Sequence, residues 1–290
     1  MSARRRPRSA PVLRLLLAWL AIPVVAAGAE APGATGGGGV AQRIVSLAPH
    51  ITELAFAAGA GQRLVATVEY SDYPPAARRV ARIGDAFRID LERVLVLQPD
   101  LVLTWASGTP AAVLDRLEAM GLRHEAVVTE RLDDVPRALR RIGTLAGTAR
   151  IAERAAVDYE ARLAQLRRSH AGRAARSVFI ELDDRPLYTV NDRHVISEVV
   201  ALCGGRNVFG RLAALAPQVA LEAVLAADPE VILSLDDAVA DPLAEWSRWP
   251  ALRAVRAGAV HSLPADLLTR STPRILDGVE IACARLAARD

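Results

Sequence analysis

Apolar and polar positions along this chain follow two periods that trade places repeatedly. Short β-rich apolar runs, such as Ile44-Val45-Ser46-Leu47, give way to stretches in which apolar residues recur every three or four positions. The longest helical stretch lies near the middle, bounded by Gly147-Thr148 and Gly172. There Ile151, Ala155, Tyr159, Leu163 and Leu166 form one face, and Arg154, Asp158, Arg162 and Gln165 the other. Thr148 offers an N-cap and Gly172 a stop. About 23 residues at 1.5 Å each would span roughly 34 Å, more than a helix inside one small domain requires. The pattern predicts a strut joining two α/β lobes.

Before the strut, residues 43–47 predict a strand ending at Ala48-Pro49, and 51–58 a helix entered through Thr52 and Glu53. Strands are predicted over 64–70, 101–105 and 125–129, with helices over 89–97, 110–120 and 132–145. Ser71-Asp72-Tyr73-Pro74-Pro75 can only be loop, because proline suits neither a helix interior nor a central strand. After the strut the same alternation returns, with strands over 177–182, 231–235 and 259–263 and helices over 195–202, 221–227 and 273–288. Strands alternating with helices predict a mostly parallel sheet in each lobe. The expected division is a signal peptide over 1–29, a flexible tether over 30–41, an N-terminal lobe over 42–147, the connecting helix over 148–172 and a C-terminal lobe over 173–290.

One segment recurs without a gap. Residues 90–103, Asp-Leu-Glu-Arg-Val-Leu-Val-Leu-Gln-Pro-Asp-Leu-Val-Leu, align with 220–233, Ala-Leu-Glu-Ala-Val-Leu-Ala-Ala-Asp-Pro-Glu-Val-Ile-Leu. Two lobes on one plan, related by a pseudo-twofold through the strut, account for this. A generic helix, proline, strand unit is the plainer alternative.

The N-terminus changes the electrostatic picture. Arg4, Arg5, Arg6, Arg8 and Arg14 precede and enter an apolar run over 12–27, followed by Ala27-Gly28-Ala29, which is the order of a secretory signal peptide. An uncleaved anchor is the alternative, although Pro23 interrupts the run and a span needs roughly 20 apolar residues. The chain carries a formal charge of +3; removing these five arginines leaves 3 − 5 = −2. No block of like charge follows, so neither nucleic-acid nor membrane-surface binding gains support. Cys203 and Cys283 would be exported together, where an even pair favours a disulfide; two separate buried thiols are the alternative.

Enzyme chemistry finds little footing. The sequence lacks a GxSxG nucleophile elbow, a P-loop and a dinucleotide fingerprint in its strand-turn-helix context. His50, His124, His170, His194 and His261 show no ligand spacing, although His50 follows the first strand and could meet a metal or haem iron. Aromatics make up only 4% of the chain, so their positions carry information. Tyr70 and Trp105 end predicted strands, Phe87 lies in a loop of the same lobe, and Tyr188 follows the first strand of the second lobe. Asp266 and Arg270 lie in the loop after the last strand. Large flat faces with a few polar groups at strand ends suit a bulky, partly apolar ligand; packing in the core is the alternative for each aromatic taken singly.

These residues resemble a known family. The strings Ile44-Val45-Ser46-Leu47-Ala48-Pro49, Tyr70-Ser71-Asp72-Tyr73-Pro74-Pro75, Cys203-Gly204-Gly205-Arg206-Asn207-Val208-Phe209 and Ser271-Thr272-Pro273-Arg274-Ile275 are similar to those of the periplasmic vitamin B12-binding proteins of cobalamin ABC importers, within the helical-backbone (class III) substrate-binding family. The likeness runs over essentially all of residues 42–288. It implies two Rossmann-like lobes on one rigid helix, a corrinoid ligand such as vitamin B12 or a precursor, no catalysis and no cofactor, and a monomer working with an inner-membrane ABC permease dimer. Tyr70, Trp105, Tyr188 (phenylalanine in the relative), Asp266 and Arg270 match corrinoid-contacting positions, with Phe87 beside another. Ala86, Ala216 and Leu267 stand where the relative has tryptophans, each loss removing on the order of 2 kcal/mol of contact if fully buried. Glu92 and Glu222 match glutamates that pair with permease arginines, one per lobe; a carboxylate favoured by a helix dipole is the local alternative. A haem or ferric-siderophore carrier would share the architecture, with Tyr70 or His50 as iron ligand and arginines for carboxylates.

Overall fold

The computed structural model describes residues 39–235 and 241–288. The expected signal peptide over 1–29, and the tether up to residue 38, lie outside the described residues. Among the described residues, no helix is long and apolar enough to cross a membrane.

The first half runs β1 (Ile44–Ser46), α1 (Pro49–Ala57), β2 (Leu64–Thr67), β3 (Ala81–Arg82), α2 (Leu91–Val96), β4 (Leu101–Trp105), α3 (Ala111–Ala119), β5 (His124–Val127) and α4 (Asp134–Leu145). Its five strands form a parallel sheet in the order β3-β2-β1-β4-β5. After α5 (Ala149–His170), the second half runs β6 (Arg176–Glu181), β7 (Asp183–Asp184), β8 (Leu187–Tyr188), α6 (Val195–Leu202), β9 (Gly205–Asn207), α7 (Leu221–Ala227), β10 (Val231–Leu235), α8 (Pro242–Trp246), α9 (Arg253–Arg256), β11 (Val260–Leu263), α10 (Ala265–Leu268) and α11 (Ile275–Ala287). A second parallel sheet, β11-β10-β6-β9, is flanked by the small antiparallel pair β7-β8. Parallel neighbours need crossovers, which the helices supply, so both sheets are covered on two faces.

Alternate residues along each strand therefore enter different cores. Ile44, Leu101 and Leu103 join one cluster while Val45 and Val102 join a second; Val178, Ile180 and Leu233 join the first while Phe179 and Ile232 join a third. The first cluster holds residues of both sheets together with Ala152, Ala156, Tyr159, Leu163 and Leu166 of α5. One apolar core thus passes through both lobes, with the long helix packed along α4 and α1 on one side and α11 and α6 on the other.

The long helix forms over Ala149–His170 with Tyr159, Leu163 and Leu166 buried as the pattern predicts, but in its first two turns the buried positions are shifted by one residue. Ala152 and Ala156 are buried, whereas Ile151 is 51% exposed and Ala155 only partly covered. The cause is close packing against α4, where a Cβ added at Gly143 would lie 2.2 Å from the Ala152 side chain. Only alanine fits such an approach. Thr148 occupies the N-cap position without capping; its hydroxyl donates instead to the Ala58 carbonyl at 2.6 Å. Exposed ion pairs flank the helix, Arg140 to Glu153 and Glu160 from α4, and Arg162 to Asp277 and Glu280 of α11.

The repeat is structural as well as sequential. Glu92 and Glu222 each fall in the first turn of their short helix, and Val94 and Val224 are both fully buried. Gln98 and Asp228, at matching places, both take left-handed backbone, with φ of 46° and 39°. The acid after each proline then serves the first strand of its lobe. Asp100 accepts the backbone N–H groups of Gln42 and Arg43 at 2.7 and 3.0 Å, and Glu230 accepts the N–H and hydroxyl of Ser177 at 2.7 and 2.8 Å.

Cys203 and Cys283 form a disulfide within the core, tying the end of α6 to α11 with Cα atoms 4.7 Å apart. It closes a separation of 80 residues, which on the chain-entropy view removes about 4 to 5 kcal/mol from the unfolded state.

Candidate functional site

In open α/β sheets ligands gather beyond the carboxyl ends of strands, where the strand order reverses. In the first sheet that point lies between β1 and β4. The chain leaving β1 enters α1 at Pro49-His50, and β4 ends at Trp105. A cavity of about 270 Å³ opens here. His50, Trp105, Ser107, Thr129 and Glu130 line it from the first lobe, and Arg193, His194, Val195, Leu215, Thr269 and Ser271 from the second. The cavity is therefore built jointly by the two lobes.

Trp105 is held by close backbone packing. A Cβ at Gly108 would come within 1.9 Å of the indole, so glycine is required there, and Thr109 accepts the Trp105 backbone N–H at 2.8 Å. The indole meets the His50 ring edge to face, with centroids 5.2 Å apart. His50 is 7% exposed and its Nε2 has no hydrogen-bond partner. Burial, reinforced by the Arg270 charge, lowers its pKa to about 4. His194, opposite, caps α6 by accepting the Ile196 N–H on Nδ1, and burial lowers its pKa to about 4 as well. Two neutral imidazoles, one from each lobe, thus enter one cavity at neutral pH. No sequence spacing marks this pair, because their meeting depends on how the lobes face each other. Among the described residues, no group of three metal-ligating side chains gathers anywhere.

Of the residues anticipated for the site, Trp105 lines the cavity. Tyr70 does not end a strand: β2 stops at Thr67, and Tyr70 stands 76% exposed on a turn with φ of 64°. A buried hydroxyl cluster below fixes that turn, with Thr52, inside α1 and not at its entrance, donating to Ser46, and Thr67 to Ser71. Phe87 is 67% exposed on a loop that Asp85 holds by accepting the N–H groups of Phe87 and Arg88. Tyr188 is half-buried on β8, bridged to Gln218. Asp266 lies in α10, where a loop was expected, and accepts from Arg274 at 3.0 Å. Arg270 donates to Asp72 of the opposite lobe at 2.7 Å.

That last pair belongs to a polar contact between the lobes that the sequence did not announce. Glu53 of α1, 3% exposed, accepts from the Thr272 hydroxyl at 2.6 Å and twice from the Arg274 guanidinium at 2.8 Å. The same guanidinium lies 3.8 Å over the Tyr73 ring. Glu53 was expected to open its helix; it instead joins the two halves of the chain across 221 residues.

Two α/β lobes on one long helix, with an aromatic and polar cavity between them, define a bilobal binding protein, and the chain belongs to the periplasmic binding protein family, whose model matches residues 44–267. It is 39% identical over 247 residues to the vitamin B12-binding protein of Vibrio cholerae, covering 85% of this chain and 89% of that one. The crystal structure of the periplasmic vitamin B12 binding protein BtuF of Vibrio cholerae matches with a TM-score of 0.80 at 38% identity, over 85% of this chain and 96% of that one. The periplasmic heme-binding protein RhuT of Roseiflexus sp. RS-1, at 24% identity, shares the fold with a TM-score of 0.74, over 85% of this chain and 98% of that one.

Proposed function

We propose that this chain captures a corrinoid between its lobes and delivers it, without transforming it, to an inner-membrane ABC permease. The observation that carries the reading is the 39% identity, over 85% of the chain, to a protein named for binding vitamin B12. The cavity fits it in kind, being formed by both lobes and bearing Trp105 among polar groups. Trp105 packs against the ring, and the exposed Tyr70 and Phe87 with half-buried Tyr188 supply further aromatic faces. Asp266 and Arg270 exchange part of their ion pairing for the amide and phosphate periphery of the ligand. Ala86, Ala216 and Leu267 leave more open space than tryptophans would, so the preferred corrinoid can differ from that of the relative. Residues 1–29 direct export to the periplasm.

Docking to the permease falls to Glu92 and Glu222. Both are exposed, and each occupies the same place in its lobe's copy of the repeat, as a twofold partner requires.

The reading is tested by passing the purified protein, incubated with cyanocobalamin, dicyanocobinamide or haemin, over a gel-filtration column and recording visible absorbance in the protein peak. A corrinoid co-elutes at one per chain. Haemin retained while both corrinoids are lost would overturn the proposal in favour of a haem carrier.

A further inference from the structure

Among the residues lining the cavity there is one carboxylate, Glu130 of the first lobe, and one guanidinium, Arg193 of the second. Both are exposed. Where the lobes meet, Glu53, Asp72, Asp266 and Glu198 each hold an arginine. Glu130 differs from them: among the described residues, no hydrogen bond or ion pair reaches its carboxylate, and Arg193 is not its partner. An acid left free on the wall of a binding cavity is available to the ligand.

Both charges stand on anchored backbone. Glu130 follows β5, and the chain just beyond it is pinned twice: the Arg131 N–H donates to Asp134 at 2.7 Å, and the Leu132 N–H to Glu198 of the second lobe at 3.0 Å. The Arg193 N–H donates to the Asn191 side chain at 3.0 Å, and its guanidinium to the Ala213 carbonyl at 2.5 Å. The chemistry of the pair then selects among ligands. An ionised carboxylate only accepts hydrogen bonds, and a guanidinium only donates them. A primary carboxamide answers both, with N–H for Glu130 and a carbonyl for Arg193. A ligand carboxylate answers Arg193 alone and sets like charge against Glu130.

We propose that Glu130 is a specificity-determining residue, which selects corrinoids whose periphery is amidated and rejects macrocycles that carry carboxylates at the same edge. This rests on the corrinoid reading above. Cobalamin presents primary carboxamides around its ring, whereas unamidated corrinoid precursors and haem present carboxylates. Discrimination comes as much from repelling the wrong ligand as from bonding the right one. One side chain thereby separates the proposed ligand from the haem carried by relatives of the same fold.

Equilibrium dialysis tests it, with cyanocobalamin and the monocarboxylic acids made by hydrolysing single peripheral amides of cyanocobalamin. Each acid differs from the parent by one amide, so the ratio of its Kd to that of the parent is the penalty for one carboxylate. Wild type is expected to penalise at least one acid. Glu130→Gln, which removes the charge and keeps an acceptor oxygen, should reduce that penalty at least about fivefold, the effect of two like charges about 4 Å apart even at the dielectric constant of water. Arg193→Gln should increase the same penalty, because a guanidinium favours a carboxylate over a neutral carbonyl. Penalties unchanged by Glu130→Gln would overturn the proposal, as would wild type holding every acid as tightly as cyanocobalamin; the corrinoid reading would stand in both cases. A penalty that shrinks equally in Arg193→Gln would mark a general loosening of the cavity and also overturn it. Wild type that retains neither cyanocobalamin nor any of its acids overturns the corrinoid reading and this one together.

Discussion

The two lobes meet along two seams of opposite character. Along α5 the contact is apolar and continuous, with Ala152, Ala156, Tyr159, Leu163 and Leu166 sharing one core with both sheets. Near the cavity the contact is polar: Glu53 accepts from Thr272 and Arg274 and Asp72 pairs with Arg270 across the lobes, while Asp266 of the second lobe holds Arg274 from its own side. Apolar burial is the larger and less directional of the two, so the helix seam supplies most of the cohesion between the lobes. Charge-assisted hydrogen bonds are directional, and a buried carboxylate satisfied from the opposite lobe fixes the angle at which the cavity forms. The polar seam therefore positions the cavity on a frame that the apolar seam provides.

The largest effect is expected from breaking the polar seam. Arg274→Ala leaves Glu53 buried without its partner and should cost about 3 to 5 kcal/mol in urea unfolding. Replacing both residues together, Glu53→Leu with Arg274→Met, should recover most of that loss, because the desolvation of two charges is removed with their attraction. If the double variant is as unstable as Arg274→Ala, the cost lies in packing and not in the orphaned charge.

Acid should act next on the same side of the molecule. His50 and His194 have pKa values of about 4 in the fold, against 6.5 for ordinary histidine. Below pH 6.5 the unfolded chain binds protons that the native state refuses. Stability is thus complete above pH 6.5 and falls as pH drops toward 4, by on the order of 3 kcal/mol per histidine. Unfolding midpoints of His50→Gln and His194→Asn between pH 7 and 4 should each show a flatter decline; slopes equal to wild type would place the lost protons elsewhere.

On the apolar seam a smaller loss is expected. Tyr159 donates its hydroxyl to the Leu132 carbonyl at 2.9 Å within the core. Tyr159→Phe keeps the ring and should cost about 1 to 2 kcal/mol, read as a lower urea midpoint at unchanged slope. Outside both seams, Glu92→Ala with Glu222→Ala should move stability by less than about 0.5 kcal/mol and corrinoid affinity by less than about twofold. Uptake into vesicles carrying the cognate permease should nonetheless fall, most at low salt where steering is strongest. Normal uptake by this double variant would leave the two carboxylates as helix-terminal charges only.

Local periodicity carried most of the architecture into the sequence. Strands over 101–105 and 231–235, the long helix and the repeat were legible because each depends on near neighbours and on which faces are buried. The disulfide was legible as a preference, since export and an even count favour it, while pairing needed the 4.7 Å approach of two helices. What stayed hidden depends on contacts distant in the chain. Ile151 looked like the natural start of the buried stripe, and only the Gly143 approach of α4 makes alanine the residue that fits. Glu53 read as a first-turn acid, and nothing local announces Arg274 as its partner. His50 and His194 carried no ligand spacing because the lobes, and not the sequence interval, bring them to one cavity. Asp266 and Arg270 stand out by their place after the last strand and by resemblance to ligand contacts, whereas their ion-pair partners, Arg274 and Asp72, depend on the fold.

On the proposed reading the ligand lies in the cavity at Trp105, between the lobes. Calorimetric titration of cyanocobalamin into wild type and Trp105→Ala tests this most directly. Losing a large aromatic face at a binding hot spot should weaken affinity by about 1 to 3 kcal/mol, or roughly five- to more than a hundredfold in Kd. An affinity unchanged from wild type would place the ligand elsewhere and refute the site at Trp105.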